Sequence, residues 1–475
     1  MKSTDIAIVG AGPAGLAASG EAVESGLSVM LMDDNHQPGG QYFRQLPRQF
    51  SHVDRVRHRR AERLFEVLDH PRLHYLPDCV VWDVPEQGIL AYAAGTGSGR
   101  VRADAIIIAA GATDRPLPFP GWTLPGVITA GGSQNMIKGQ AVRPGDDVVV
   151  AGNGPLLLVA AMHLISAGAT IRAVVEAAPF QRRAWSRLAS LSWSPSLLVQ
   201  ALSWRLRLAA ARVPFLTGQA VIEAHGAPAL EAVSIAPVDH RGGINRASVT
   251  TLEADCLVVG NGLAPAVELT RLAGCAHHHD PMLGGWTPRR TKDLETTVPG
   301  LYAVGDGAAI GGVELALAEG RMAALAALLQ RFPCACLRKR RRNLARHLDR
   351  LGRFRTAVAD IFAPPETFLE LITPETPVCR CENVTLGELG HFAADGAAGM
   401  VQLKSTTRLS MGRCQGRFCL ATLADLVATR RGIKVADLDW PRFRPPARPV
   451  LLGDLLHEEI PPPVLPDDPH LPRGS

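Results

Sequence analysis

Apolar residues fall first into short buried runs and later into stripes of helical spacing, and the order of these patterns predicts the architecture. DIAIVG (5–10), LSVMLMD (27–33) and AIIIAAG (105–111) are runs of strand length. LAASGEAVESG (16–26), between the first two, carries the 3.6-residue spacing of a helix. LHYLP, CVVWDV and ILAYAA (73–94) read as three short strands. The strand–helix–strand pattern repeats at DDVVVAGNG (146–154), LLLVAAMHLI (156–165) and IRAVVEAA (171–178), and LEADCLVVGNGLAP (252–265) supplies a returning strand. Strands alternating with helices predict an α/β chain with parallel sheets. After residue 330 the pattern is helical: a basic helix with Leu344, Leu348 and Leu351 on one face, then LGELGHFAAD (386–395) and LATLADLVATRRG (420–432).

Glycines sit where the first strand turns into its helix. Gly10, Gly12 and Gly15 form G-x-G-x-x-G, which allows a tight turn, close backbone approach to a pyrophosphate, and close helix–strand packing. Asp33 ends the next strand about 20 residues on, where a carboxylate accepts ribose hydroxyls; Asp34 is the neighbouring candidate. Gly39-Gly40-Gln41 follows as a flexible turn suited to a bound dinucleotide. The second turn keeps Gly152 and Gly154 but has Leu157 at the third glycine position. A leucine there is expected to push the helix from the strand or to intrude on the phosphate pocket. Glu176, at the end of the next strand, suits NAD ribose better than NADP. Two readings of this second unit stay open: NAD(H) binding, or a vestigial domain that holds an adenine nucleotide at most.

Four cysteines gather in one later segment, Cys379-x-Cys381, then 32 residues, then Cys414-x4-Cys419. Two close thiolate pairs are what an iron–sulfur cluster needs. Zinc also takes four cysteines, and disulfides or free thiols complete the alternatives. The tight C-x-C and the flanking Gly412 and Gly416, whose N–H groups are able to face sulfides, favour [2Fe–2S]. Thr385 with Glu388 forms a capping-box sequence, and Lys404, Arg408 and Arg413 add positive charge nearby. No C-x-x-C accompanies the nucleotide motifs, so dithiol reductase chemistry has no dithiol there. Cys334-x-Cys336 has no second pair of its own, Cys79, Cys256 and Cys275 are isolated, and consecutive His277, His278 and His279 rarely converge on one ion.

Composition narrows the classes further. A chain of 475 residues exceeds one core, and 47% hydrophobic with 20% charged residues is ordinary for a globular protein. A net charge of +5 gives no reason to expect nucleic acid, and the basic stretches 52–63 and 337–355 read as solvated or docking faces. No apolar run reaches membrane-spanning length, and a strand from residue 5 leaves no room for a leader peptide. A cytoplasmic location is expected, with the inner membrane reached only through partners.

GAGPAG, AIIIAAG and VPGLYAVGDGAA (298–309) together resemble the flavoproteins with two dinucleotide-binding domains. The resemblance implies FAD held by Gly10, Gly12, Pro13, Ala14, Gly15, Asp33, Gly40, Gln41, Ala110, Gly111, Gly305 and Asp306, with a helix following from about Gly312. The cysteine segment resembles the bacterioferritin-associated-ferredoxin-like [2Fe–2S] domain. PFPGWTLPGV (118–127), LGRFR (351–355), CRCENV and MGRCQGRFC extend the likeness to a narrower group of subunits: hydrogen cyanide synthase B, opine oxidase A and heteromeric (hydroxy)proline dehydrogenase alpha. That group implies an electron-transfer chain with FAD and [2Fe–2S]. Its partners would be a catalytic flavoprotein subunit of the glycine/sarcosine-oxidase type, a small ferredoxin-like subunit, and a quinone or other respiratory acceptor. The expected division is an FAD domain (1–144 and 280–330), a degenerate nucleotide domain (145–279), a helical linker (331–372), a small, mostly helical [2Fe–2S] domain (373–432) and a proline-rich tail (433–475).

Overall fold

A computed structural model describes residues 1–47, 59–95, 97–178, 187, 195–239, 242–364, 366–393 and 399–455. Most of the basic run 52–63 and the tail beyond 455 lie outside the described residues.

Apolar runs bounded by glycine turns bury both faces, which is what a parallel sheet between helices requires. The first sheet has the parallel order Leu73–Leu76, Val29–Met32, Lys2–Val9, Gly97–Ile108, Leu301–Ala303. Ile6 stands beside both Val29 and Ala105, so the fully buried runs meet in register. The opening half of Gly97–Ile108 carries an antiparallel meander, Cys79–Glu86 and Ile89–Ala94. Helix Pro13–Glu24 packs against helix Val313–Arg331, where a β-carbon at Gly320 would lie 2.0 Å from the Ala14 carbonyl oxygen.

The second sheet is also parallel: Phe215–Thr217, Thr170–Glu176, Asp147–Gly152, Cys256–Gly260, Val127–Thr129. An antiparallel sheet, Gln219–His225, Ala232–Pro237 and Thr250–Glu253, adjoins it. Val127–Thr129 thus pairs in the second sheet although it falls within 1–144. The chain crosses between the sheets at the ribbon of Ala112–Asp114 with Leu263–Pro265. Beyond that ribbon, Leu269 and Cys275 are already in the core of the first sheet. A three-residue strand has too little periodicity to announce which sheet it joins.

Leu157 points into the core of the second unit. Its side chain is wholly buried, and a β-carbon at Gly260 would come within 3.0 Å of Leu157 Cδ2, so a glycine on the neighbouring strand makes room. The basic helix runs Ala335–Ile361 and is less solvated than its composition suggests: Leu351, Ala357 and Ile361 are buried, and Leu344 and Leu348 pack on Val313–Arg331. Phe368 and Leu371, just past the proline-rich break, belong to the second core.

The cysteine segment has a core of its own, in which helices Leu386–Ala393, Met400–Thr407 and Leu420–Arg431 surround a two-strand ribbon. Among the described residues there are three helices here, where the sequence pattern announced two. Thr385 and Glu388 form the reciprocal cap, Thr385 N–H donating to Glu388 Oε2 at 2.7 Å and Glu388 N–H to Thr385 Oγ1 at 3.3 Å.

Candidate cofactor sites

The first glycine turn is built by contacts that only glycine permits. Gly10 takes φ +103°, and a β-carbon on it would lie 2.4 Å from the Ala109 carbonyl oxygen. One on Gly15 would lie 1.8 Å from the Gly10 carbonyl oxygen, so helix Pro13–Glu24 starts hard against its strand. Gly12 faces open space, where a β-carbon would meet nothing nearer than the Gly40 Cα at 3.9 Å. Gln41 is exposed at the rim, and Pro13 opens the helix as its first residue. The late motif closes the cleft. A β-carbon on Gly305 would meet that of Ala14 at 3.1 Å, and one on Gly307 would lie 2.9 Å from the Gly111 nitrogen and 3.3 Å from that of Ala110. Segments some 100 and 300 residues apart in sequence thereby line one turn.

Two carboxylates flank it. Asp33 is buried; it accepts the Ala11 N–H at 2.5 Å and the Asn35 N–H and side-chain amide at 2.8 and 2.9 Å. Burial raises its pKa against those donors. Asp34 is exposed and takes Asn35 Nδ2 and Arg448. Asp306 accepts the Gly311 and Gly312 N–H groups at 2.8 and 2.9 Å, ahead of helix Val313–Arg331, and burial also raises its pKa.

Three cations here escaped sequence reading. Lys138 lies in the π-helical stretch Asn135–Gly139, a geometry frequent at functional sites. It donates to the Tyr42 carbonyl at 3.2 Å and Gln134 Oε1 at 3.1 Å; burial, then the charge of Arg44, lowers its pKa to about 8. Arg44 donates to Asn35 Oδ1 at 3.1 Å, with its Nε unpartnered. Arg355, within LGRFR, is largely buried with Nε unpartnered, in the field of Glu319, Asp280 and Asp306. Single arginines and lysines in loops and helix ends carry no period, so only the fold reveals them.

In the second unit, Gly152 and Gly154 take φ +135° and +98°. The Gly154 N–H donates to both oxygens of Glu176 at 3.3 Å, and burial pushes that carboxyl up to about 8. Asn153 is buried with both side-chain polar atoms unpartnered. Phe362, from the segment after the basic helix, approaches Gly154: a β-carbon there would lie 3.8 Å from Phe362 Cβ.

The four later cysteines come together. Cys379 and Cys381 sulfurs are 3.8 Å apart, Cys381 and Cys414 are 3.6 Å apart, and Cys419 contacts Cys379. Two thiolates on one tetrahedral metal, with bonds of about 2.3 Å, are separated by about 3.8 Å. Cys379 and Cys419 are buried, whereas Cys381 is exposed. The Cys379 thiol is drawn down to about 5 by Cys419 and by backbone N–H groups of Ser410 and Glu382. A β-carbon on Gly412 would lie 2.5 Å from the Cys381 sulfur. Asn383, Arg408, Ser410 and Gln415 all take left-handed φ, and such turns aim successive N–H groups inward. Among the described residues, no three His, Cys, Asp or Glu side chains are disposed to enclose one ion, the triple histidine included. His277–Asp280 is instead a strand paired with Gly285–Pro288. Arg408 pairs with Glu382 at 3.1 Å rather than standing free beside the sulfurs.

This segment is seated on the flavoprotein-like body. Thr422 Oγ1 donates to the Pro116 carbonyl at 2.6 Å, and Trp122 Nε1 to the Pro377 carbonyl at 2.7 Å. Arg115 pairs with Asp425, and Arg417 with Glu268 at 2.7 Å, both pairs mostly shielded from water. Arg417 lies between Cys414 and Cys419, and Pro116 lies five residues past Gly111, so one seam joins the two candidate sites. A cavity is left in it, lined by Arg115, His279, Trp286, Arg417 and Trp440 among others. The tail straps the seam: Ala447 N–H donates to the Trp82 carbonyl at 2.7 Å, and Arg417 donates to the Ala447 carbonyl at 2.7 Å.

The chain is similar to several known proteins. Residues 4–327 match the family model for pyridine nucleotide-disulphide oxidoreductases. The A subunit of opine oxidase from Agrobacterium tumefaciens is 34% identical, covering 95% of this chain and 91% of its own length. The HcnB subunit of hydrogen cyanide synthase from Pseudomonas aeruginosa is 32% identical, covering 93% and 96%. The crystal structure of L-proline dehydrogenase from P. horikoshii shares the fold over 95% of this chain and 79% of that one, with a TM-score of 0.65 at 19% identity. The relatives are named as subunits of an oxidase and of a synthase, and the family implies FAD. The chain is an oxidoreductase belonging to the pyridine nucleotide-disulphide oxidoreductase family.

Proposed function

We propose that this chain is the electron-transfer subunit of a multi-subunit amino-acid dehydrogenase, holding FAD in the first unit and a [2Fe–2S] cluster on Cys379, Cys381, Cys414 and Cys419. The observation that carries the reading is the seam, where the cysteine loop and the segment leaving Gly111 are joined by ion pairs and buried hydrogen bonds. FAD exchanges two electrons and a [2Fe–2S] cluster one, which is the chemistry such a pair supplies. The chain's own residues position and insulate. Gly12, Ala14 and Gly15 offer backbone N–H groups to the diphosphate, Gly10 makes the turn and Pro13 opens the helix whose N-terminus faces it, with Gly40 and Gln41 across from them. Asp33 takes ribose hydroxyls, and Ala110, Gly111, Gly305 and Asp306 close over the remainder. Lys138 and Arg44, two neighbouring cations, supply countercharge to a diphosphate. Cys379 and Cys419 anchor the cluster inside, leaving the Cys381 edge to a docking protein. The tight C-x-C spacing, too short for the usual zinc knuckle, favours two irons over one zinc.

In this reading amino-acid oxidation belongs to a partner chain of the glycine/sarcosine-oxidase type. The scheme is completed by a small ferredoxin-like subunit, with a quinone or other respiratory acceptor beyond it. In the second unit, Asn153's unpartnered amide and the Glu176 carboxyl favour an adenine nucleotide, while Phe362 at the glycine turn opposes NADH. Mixing the FAD-loaded chain with NADH anaerobically should leave the flavin bands unbleached over minutes. Adding the catalytic subunit with its amino acid should bleach them. Prompt bleaching by NADH alone would instead make this a stand-alone NADH oxidoreductase.

A further inference from the structure

Cys334 and Cys336 stand apart from the four clustered cysteines, at the surface where helix Ala335–Ile361 begins. Their sulfurs are 2.8 Å apart, inside nonbonded contact and within reach of a bond between them. Cys334 is the N-cap, its sulfur accepting the Leu337 N–H at 3.3 Å, and it sits at the positive end of a 27-residue helix. Arg338 in the first turn adds a full charge. The pair is therefore asymmetric. The Cys336 thiol, the Leu337 N–H and Arg338 hold the Cys334 thiol below its usual range, while the neighbouring thiolate pushes Cys336 up. Among the described residues no third ligand joins them to make a metal site.

We infer that Cys334 and Cys336 form a thiol–disulfide exchange site for low-molecular-weight disulfides, with Cys334 as the attacking sulfur and Cys336 as the resolving one. The Cys334 thiolate attacks one sulfur of the small disulfide, forming a mixed disulfide and expelling one thiolate, which takes up a proton. Cys336 loses its proton and attacks the Cys334 sulfur, closing the protein disulfide and releasing the second small thiol. One small disulfide is reduced to two thiols as one protein dithiol is oxidised, so electrons and protons balance with no further reagent. An exposed, N–H-stabilised thiolate with a second thiol in contact is the arrangement this exchange needs.

The sequence offers a clean readout, because cleavage after Arg331 and Arg338 releases Phe332–Arg338, which contains both cysteines and no other. The full-length, FAD-loaded chain is treated anaerobically with glutathione disulfide, quenched by alkylation, and digested. The wild-type peptide should resist alkylation and lose two hydrogens in mass. Cys336→Ser should trap one glutathione on Cys334, and Cys334→Ser should react at least tenfold more slowly. A wild-type peptide still alkylated at both cysteines would overturn the proposal, as would equal glutathione uptake by the two single variants.

Discussion

Lys138 and Arg44 are the residues whose chemistry depends most on what binds beside them. Burial and mutual repulsion hold the Lys138 pKa near 8, and an anion delivered to the cleft restores its charge. Lys138→Ala is expected to raise the FAD dissociation constant about tenfold, or about 1.4 kcal/mol, measured by flavin fluorescence. Glu176 gives a pH signature in the chain without nucleotide. Its carboxyl rises from 4.5 to about 8 on folding, so between those values the folded state holds a proton that the unfolded chain releases. Its contribution to stability is complete below about pH 4.5 and is lost as pH rises through 8. Thermal unfolding of the nucleotide-free protein should fall in midpoint across that window, and Glu176→Gln should flatten the slope. An unchanged slope would mean that the carboxyl is ionised in the fold.

At the scale of elements, glycine turns at strand ends announced themselves because tight turns admit few residue types, and the capping box at Thr385 did so for the same reason. Thr385→Ala should cost about 1 kcal/mol of helix stability, read as a lower unfolding midpoint for the cysteine domain. What the pattern concealed is contact between distant segments. Leu157 is seated beside Gly260 of a neighbouring strand, and the basic helix reads as solvated until its leucines are found packed on Val313–Arg331 and Arg355 in the field of Glu319. Hydrophobic periodicity records which face of a helix is buried but not against what. The seam ion pairs join residues with no local signal, Arg115 with Asp425 and Glu268 with Arg417. Arg115→Ala leaves Asp425 without its partner in a shielded site, at a cost on the order of 2 kcal/mol. Limited proteolysis should then release the segment beyond residue 373 faster than in the wild type, whereas equal rates would show that the ion pair contributes nothing to docking.

At the scale of the molecule, two parallel-sheet units and a cysteine segment are arranged so that the first and third share a seam and the tail straps them. The glycine motifs and the cysteine spacing made the cofactor candidates legible. The seam, the crossing at residues 112 and 263, and the burial of two cysteines with the Cys381 edge left outside had to come from the fold. Among the described residues no helix is long and apolar enough to cross a membrane. Independence of the sites has a direct check: Cys414→Ser should abolish iron–sulfur absorption while the flavin bands remain. Loss of both together would show that the cysteine domain is needed to hold the flavin.

The central claim is that four cysteines hold a two-iron cluster in a chain that also holds FAD. The most direct measurement is the iron, zinc and acid-labile sulfide content of the anaerobically purified chain, paired with its low-temperature electron paramagnetic resonance after dithionite reduction. Two irons and two sulfides per chain, with a one-electron signal that Cys414→Ser removes, is the expected result. One zinc per chain, no sulfide and no signal would contradict it.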